Sequence, residues 1–200
     1  MLDYIRIGCA VPAVRGGDTK KNAEDICAFL RKADARNVDL LVFPEMSLTG
    51  YTCQDLFFQD TLNEGVWAGL RKILDASAAC PRVTAVVGLP LRLGARMFNC
   101  AAVVAQGRVL GIVPKTAIPN YNEFYEKRWF ASGDALDQDS LDVGSLLGGQ
   151  PECVPLGQNL LFRLADGALI GVEICEDLWT PLPTSTMLAL AGAEVIVNLS

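Results

Sequence analysis

The sequence predicts an α/β protein in which a mixed sheet is layered against helices. Three observations carry that reading: helical and strand patterns alternate along the chain, two strand pairs are joined by short glycine-containing turns, and residues 38–43 form a short run, apolar but for Asp39, of the kind found in strands buried on both faces. With 200 residues, 51% of them hydrophobic and 20% charged, the chain fits one domain with a single large core.

Ile5 to Val11 reads as the first strand. The turn-prone Arg15-Gly-Gly-Asp follows, then a helix with Ala23, Ile26, Cys27, Leu30 and Ala33 at helical spacing, capped by Asp18 or Thr19. Val38 to Phe43 is the second strand; it stops at Pro44, and Glu45 comes next. Leu62 to Ala79 is amphipathic, with Val66, Leu70, Ile73 and Leu74 on one stripe, and leads into a strand at Thr84 to Leu89. Met97 to Ala105 and Val109 to Val113 form a hairpin around Gln106-Gly107-Arg108, ending at Pro114-Lys115. Residues 116 to 158 read as irregular, rich in Gly, Pro, Asn and Asp, which in a compact domain suggests functional loops. Leu160 to Leu164 and Leu169 to Ile174 form a second hairpin through Asp166-Gly167, ending at Cys175. A helix at Thr184 to Ala191 and a strand at Val195 to Leu199 follow, and the end at a core-strand tip reads as a truncation.

Composition excludes several classes. Seventeen Lys plus Arg against 23 Asp plus Glu give a formal charge of -6, with no basic run to grip nucleic acid. Asp3 and Arg6 break what would be the apolar core of a signal peptide. The longest uncharged stretch, Leu178 to Ala193, holds Pro181 and Pro183 and falls short of the roughly 20 apolar residues a span needs. A soluble protein with no membrane contact is expected. Seven scattered cysteines without a C-x-x-C pair suit a reducing, cytoplasmic setting, most of them as small buried apolar residues. No histidine is present, which removes Ser-His-Asp and Cys-His catalysis and the commonest zinc ligand. No metal site is expected in this domain.

Glu45, Lys115 and Cys175 each fall at, or one residue beyond, the carboxyl end of a predicted strand, the edge where sites assemble in α/β sheets. A thiol beside an ammonium gains thiolate character, and a nearby carboxylate can accept and return its proton, so the three suffice for histidine-free acyl transfer. Taken singly each has a plain reading: Cys175 as strand packing, Glu45 and Lys115 as loop charges.

Three segments bear on that choice. Phe43-Pro-Glu-Met-Ser-Leu-Thr-Gly-Tyr51, Pro114-Lys-Thr-Ala-Ile-Pro-Asn-Tyr-Asn-Glu-Phe-Tyr-Glu126 and Gly171-Val-Glu-Ile-Cys-Glu-Asp-Leu-Trp179 resemble, in order, the glutamate, lysine and cysteine segments of the nitrilase (carbon-nitrogen hydrolase) superfamily. Within it, the cysteine segment and the Asn-Tyr-x-Glu-Phe-Tyr-Glu run are most similar to the glutaminase domain of glutamine-dependent NAD synthetases. The resemblance implies a four-layer αββα sandwich with mixed sheets over residues 1–200, lacking its C-terminal part. It implies Cys175 as nucleophile on glutamine, Glu45 as general base and acid, and Lys115 as stabiliser of the tetrahedral oxyanion; the need for donors fixed where charge develops suggests the backbone N–H of Glu176 as a second donor. It further implies Glu123 as a supporting glutamate that orients the site, with an ion pair to Lys127 or Arg128 as the alternative. Tyr121, Tyr51, Phe124 and Glu176 would contact glutamine, with packing or a surface position as the alternative for each.

Such synthetases need an ATP-dependent domain that amidates deamido-NAD, and no phosphate loop of the form G-x-x-x-x-G-K-[ST] occurs here. ATP and Mg, and that domain, are therefore expected beyond residue 200. A homo-oligomer is expected from the same resemblance. A stand-alone amidase or a silent nitrilase-fold interaction module are the alternatives.

Overall fold

The computed structural model describes residues 4–200; Met1, Leu2 and Asp3, on which part of the reading against a signal peptide rests, lie outside them. Five strands form one sheet in the order of the chain: β1 (Ile7–Cys9), β2 (Leu40–Val42), β3 (Thr84–Leu93), β4 (Arg96–Ala105) and β5 (Arg108–Pro114). The first three run parallel and the last two are antiparallel hairpin partners. The parallel strands are linked by α1 (Thr19–Asp34) and α2 (Asp60–Ala78), which pack on each other over one face of the sheet. Asp18 accepts from the Lys21 N–H and so caps α1, as its side chain and position predict. The buried stripe Ala23, Ile26, Cys27, Leu30 and Ala33 meets Val66, Leu70, Ile73 and Leu74 and the sheet side chains Phe43, Val87 and Leu89.

The other face meets a second sheet. β8 (Leu161–Arg163), β9 (Leu169–Ile174) and β10 (Val195–Leu199) lie in the order β10-β9-β8, with β9 and β10 parallel. Leu40, Val42, Val86, Ala101 and Val103 of the first sheet close against Ile170, Val172, Ile174, Val197 and Leu199 of the second. α4 (Thr184–Leu190) packs on β9 from outside. The order helix, sheet, sheet, helix is the αββα sandwich expected. A small hairpin of β6 (Ser140–Asp142) and β7 (Cys153–Pro155), with α3 (Val143–Leu146) between them, extends the helical side.

β1 and β2 are shorter than the sequence reading, and three further elements differ from it. β3 does not stop at Leu89 but runs through Pro90 to Leu93. Gly88 donates its N–H to Ser47 Oγ at 3.2 Å, away from β4, so the nitrogen of Pro90, two residues on, faces that same side and no β4 bond is lost. Tyr51–Phe58 is a run of 3₁₀ turns ahead of α2, kinked at Gln54 with φ 51°. Residues 116 to 158 are not wholly irregular, since they hold β6, α3 and β7. Among the described residues no helix is long and apolar enough to cross a membrane.

Candidate active site

Glu45, Lys115 and Cys175 leave three different strand ends on the same rim. β2 ends before Pro44, which has no N–H to continue a ladder. The chain then turns sharply: Met46 takes φ 53°, Ser47 donates its N–H to Pro44 O, and Leu48 donates to Gly88 O. That turn lies so close to β3 that a Cβ on Gly88 would sit 2.4 Å from the Met46 nitrogen, so only glycine fits. Lys115 follows β5 and donates its N–H to Asn99 O at 2.8 Å. Cys175 follows β9 at φ 46°, a left-handed conformation that costs energy for a non-glycine residue, where strand turns abruptly into the 3₁₀ segment Cys175–Leu178.

The charged groups form one buried network. Lys115 Nζ lies 2.8 Å from Glu45 Oε1 and 2.8 Å and 3.0 Å from the two oxygens of Glu126. Asn99 Nδ2 donates to Glu45 Oε1 at 2.5 Å, and the Tyr51 hydroxyl donates to Glu126 Oε1 at 2.6 Å. Lys115, Glu45 and Glu126 are all buried, so two carboxylates share one ammonium with little water to screen them. Burial alone would lower the Lys115 pKa; Glu45 and Glu126 outweigh it and raise it, keeping the ammonium charged. Burial raises the Glu45 pKa despite Lys115, with Glu126 adding to the rise, which makes Glu45 more basic than an ordinary carboxylate. Burial and the neighbouring Glu126 likewise push the Tyr51 phenol well above its ordinary range, so it remains a donor.

A cavity of about 420 Å³ opens beside this network, walled by Glu45, Tyr51, Phe124 and Cys175 with Val14 and Met46. Of the residues expected to contact substrate, Tyr51 and Phe124 thus line it. Tyr121 and Glu176 do not line it, and the hydroxyl of the exposed Tyr121 donates to the Glu176 carboxylate at 2.8 Å. Tyr121 still packs edge-on against Phe124, with ring centroids 6.0 Å apart. Lys115 is fully buried behind Glu45 and is not part of the wall.

The structure corrects the sequence reading at two residues. Glu123 does not reach the lysine; the carboxylate against Lys115 is Glu126, where the loop doubles back so that the Glu126 N–H donates to Pro119 O. Arg128, offered as a partner for Glu123, is instead paired with Asp55, 2.7 Å away, and together with Trp129 it holds that carboxyl at a pKa of about 2. The Cys175 thiol does not have a lowered pKa overall. Burial, then the Glu45 charge, raises its pKa, and Lys115 only partly offsets them.

Beyond Glu126, the sequence reading missed Asn99 and Asp177. Buried Asp177 Oδ1 accepts from the Thr116 N–H at 3.0 Å, the Thr116 hydroxyl at 2.8 Å and the Ala117 N–H at 2.7 Å, while Oδ2 accepts from the Ile174 N–H at 3.1 Å. It pins the segment after Lys115 to the strand before Cys175. For Asn99 the available signal was a lone polar residue in an apolar context, Met-Phe-Asn-Cys-Ala; Asp177, next to Glu176, offered no such signal.

The carbon-nitrogen hydrolase family model matches residues 7–200. The glutamine-dependent NAD(+) synthetase of Mycobacterium leprae is 39% identical over 199 residues, which cover 98% of this chain and 28% of that protein. The crystal structure of a glutamine-dependent NAD(+) synthetase from Cytophaga hutchinsonii superposes with a TM-score of 0.77 at 30% identity, over 98% of this chain and 30% of that one. A mutant of a Nesterenkonia amidase from the nitrilase superfamily, at 18% identity and a TM-score of 0.75, shares the fold, over 98% of this chain and 64% of that one. The chain thus spans under a third of the length of the NAD synthetases named here.

Proposed function

The chain belongs to the carbon-nitrogen hydrolase family, and we propose that it is the glutamine-hydrolysing domain of a glutamine-dependent NAD synthetase. The observation that carries this reading is the cavity wall that sets Cys175 beside a basic, buried Glu45 whose neighbour is a permanently charged Lys115. Similarity to NAD synthetases along nearly the whole chain supplies the substrate.

In this mechanism Glu45 takes the thiol proton as Cys175 Sγ attacks the side-chain carboxamide carbon of glutamine. A raised thiol pKa means that the proton is still on sulfur when substrate arrives, so the base is needed in the attacking step. The tetrahedral oxyanion gains from the fixed positive charge of Lys115 and from the backbone N–H of Glu176. The C–N bond then breaks, Glu45 returns its proton to the leaving nitrogen, and ammonia departs from a thioester. Water, deprotonated by Glu45, cleaves the thioester to glutamate and restores the thiol. Tyr51 and Phe124 would flank the aliphatic stem of glutamine, with Tyr121 and Glu176 at the outer edge.

The ATP- and Mg-dependent amidation of deamido-NAD belongs, on this reading, to a further domain beyond residue 200 of a homo-oligomeric protein. The test uses the full-length protein. Cys175→Ala is expected to abolish glutamine-dependent NAD formation and leave ammonia-dependent formation intact. Equal loss of both activities would refute a separate glutaminase site.

A further inference from the structure

Asn99 takes no part in the steps above, yet it touches two of their components. It lies within β4, opposite Pro90, and is fully buried. Its side-chain Nδ2 donates to Glu45 Oε1, and its main-chain carbonyl accepts the Lys115 N–H. With the amide turned the other way, Oδ1 would face a carboxylate oxygen, so the donor orientation is the attractive one. That orientation leaves Oδ1 buried without a hydrogen-bond partner among the described residues. An unsatisfied buried acceptor destabilises a fold, so stability alone would favour an apolar residue here.

Glu45 Oε1 therefore receives two donors, Asn99 Nδ2 and Lys115 Nζ. Oε2 receives none among the described residues, while Glu45 lines the cavity with Cys175. The geometry points to Asn99 as a positioning residue that, with Lys115, locks Oε1 and leaves Oε2 as the one oxygen of Glu45 that exchanges protons with the cavity. This rests on the reading of Glu45 as the general base. The ionisable groups around Glu45 are Lys115 and Glu126 in the network, Cys175 across the cavity, and Tyr51 beyond Glu126; a change at Asn99 alters none of them. A donor to a carboxylate favours its charged form, so loss of the Asn99 amide raises the Glu45 pKa further.

The test is glutamine hydrolysis by full-length Asn99→Leu and Asn99→Ala across pH, with folding followed by circular dichroism and thermal melting. The expected result is kcat/KM lower by on the order of tenfold or more, mostly in kcat, because a misaligned base fails in the reacting state. The acid limb of the profile should move up by about one pH unit. Folded variants with a wild-type rate and limb overturn the inference, and so does a slower rate with an unmoved limb. If one variant does not fold the other decides; if neither folds, Asn99 holds the fold and the inference falls. Glu45→Gln, measured alongside, separates the two readings. Retained hydrolysis in Glu45→Gln removes the general-base assignment itself, whereas an inactive Glu45→Gln beside unmoved Asn99 profiles removes only the role of Asn99.

Discussion

Lys115 Nζ and Glu126 Oε1 lie 2.8 Å apart inside the protein, and the same ammonium lies 2.8 Å from Glu45 on its other side. Two carboxylates around one ammonium leave a surplus negative charge where water is scarce. The lysine is therefore structural and electrostatic at once. Lys115→Met would strand both carboxylates, and breaking a buried pair in this way costs about 3–5 kcal/mol. Urea denaturation at neutral pH should show that loss, and any protein that remains folded should turn glutamine over slower by on the order of 10². An unchanged denaturation midpoint would remove the charge network as an element of stability.

The two nearby glutamates should separate cleanly. Glu126→Gln keeps the shape but removes one of the two charges that hold the ammonium and the charged acceptor for Tyr51, so its glutaminase rate should fall on the order of tenfold or more. Glu123→Gln changes only an exposed side chain and should match wild type in both rate and melting temperature. Equal effects of the two substitutions would mean that the loop adopts another arrangement when glutamine is bound.

Gly88 offers a steric test. A Cβ there would meet Met46 N at 2.4 Å, Pro44 O at 2.6 Å and Glu45 C at 2.9 Å, all backbone atoms that cannot rotate away. Gly88→Ala should therefore push the Glu45 turn off the rim, costing about 1–3 kcal/mol as overpacking does and impairing hydrolysis. Gly157→Ala, at a glycine with no neighbour within 4 Å of its added Cβ, is the control and should change neither. Full activity in a folded Gly88→Ala would show that the turn has slack the geometry denies.

The strand ends were legible in the sequence because punctuation residues mark them: Pro44 and Pro114 close β2 and β5, and Asp166-Gly167 closes the hairpin that delivers Cys175. Those ends put Glu45, Lys115 and Cys175 on one rim from sequence alone. Glu126 was not legible, because its contact with Lys115 depends on a loop without periodicity doubling back on Pro119. Asn99 and Asp177 were hidden for another reason. Each is a polar residue with a key partner far along the chain, 54 residues away for Asn99 and Glu45 and 61 for Asp177 and Thr116, and no local pattern encodes a pairing at that range. The direction of the Cys175 shift was misread because proximity to an ammonium was weighed without burial, which is the larger influence.

Glu45 should also leave a signature in the stability of the protein against pH. Its carboxyl has a raised pKa in the fold, chiefly through burial, relative to an ordinary value of 4.5. A raised folded pKa means the native state binds the proton more tightly than the unfolded state. The contribution of this group to stability is thus complete below the unfolded value and is lost as pH rises through the folded value. Glutamine at this position imitates the protonated form at every pH and escapes that loss. Glu45→Gln should therefore match wild type in melting temperature below about pH 4.5 and exceed it near neutral pH, while glutamine hydrolysis is abolished. Lys115 does not reverse the trend, because its own raised pKa keeps it charged throughout this window. Thermal melts of the two proteins from about pH 4 to about pH 8 give the comparison directly. A Glu45→Gln protein less stable than wild type at neutral pH would mean that Lys115 outweighs burial at Glu45, and would make that carboxylate a poor base for Cys175.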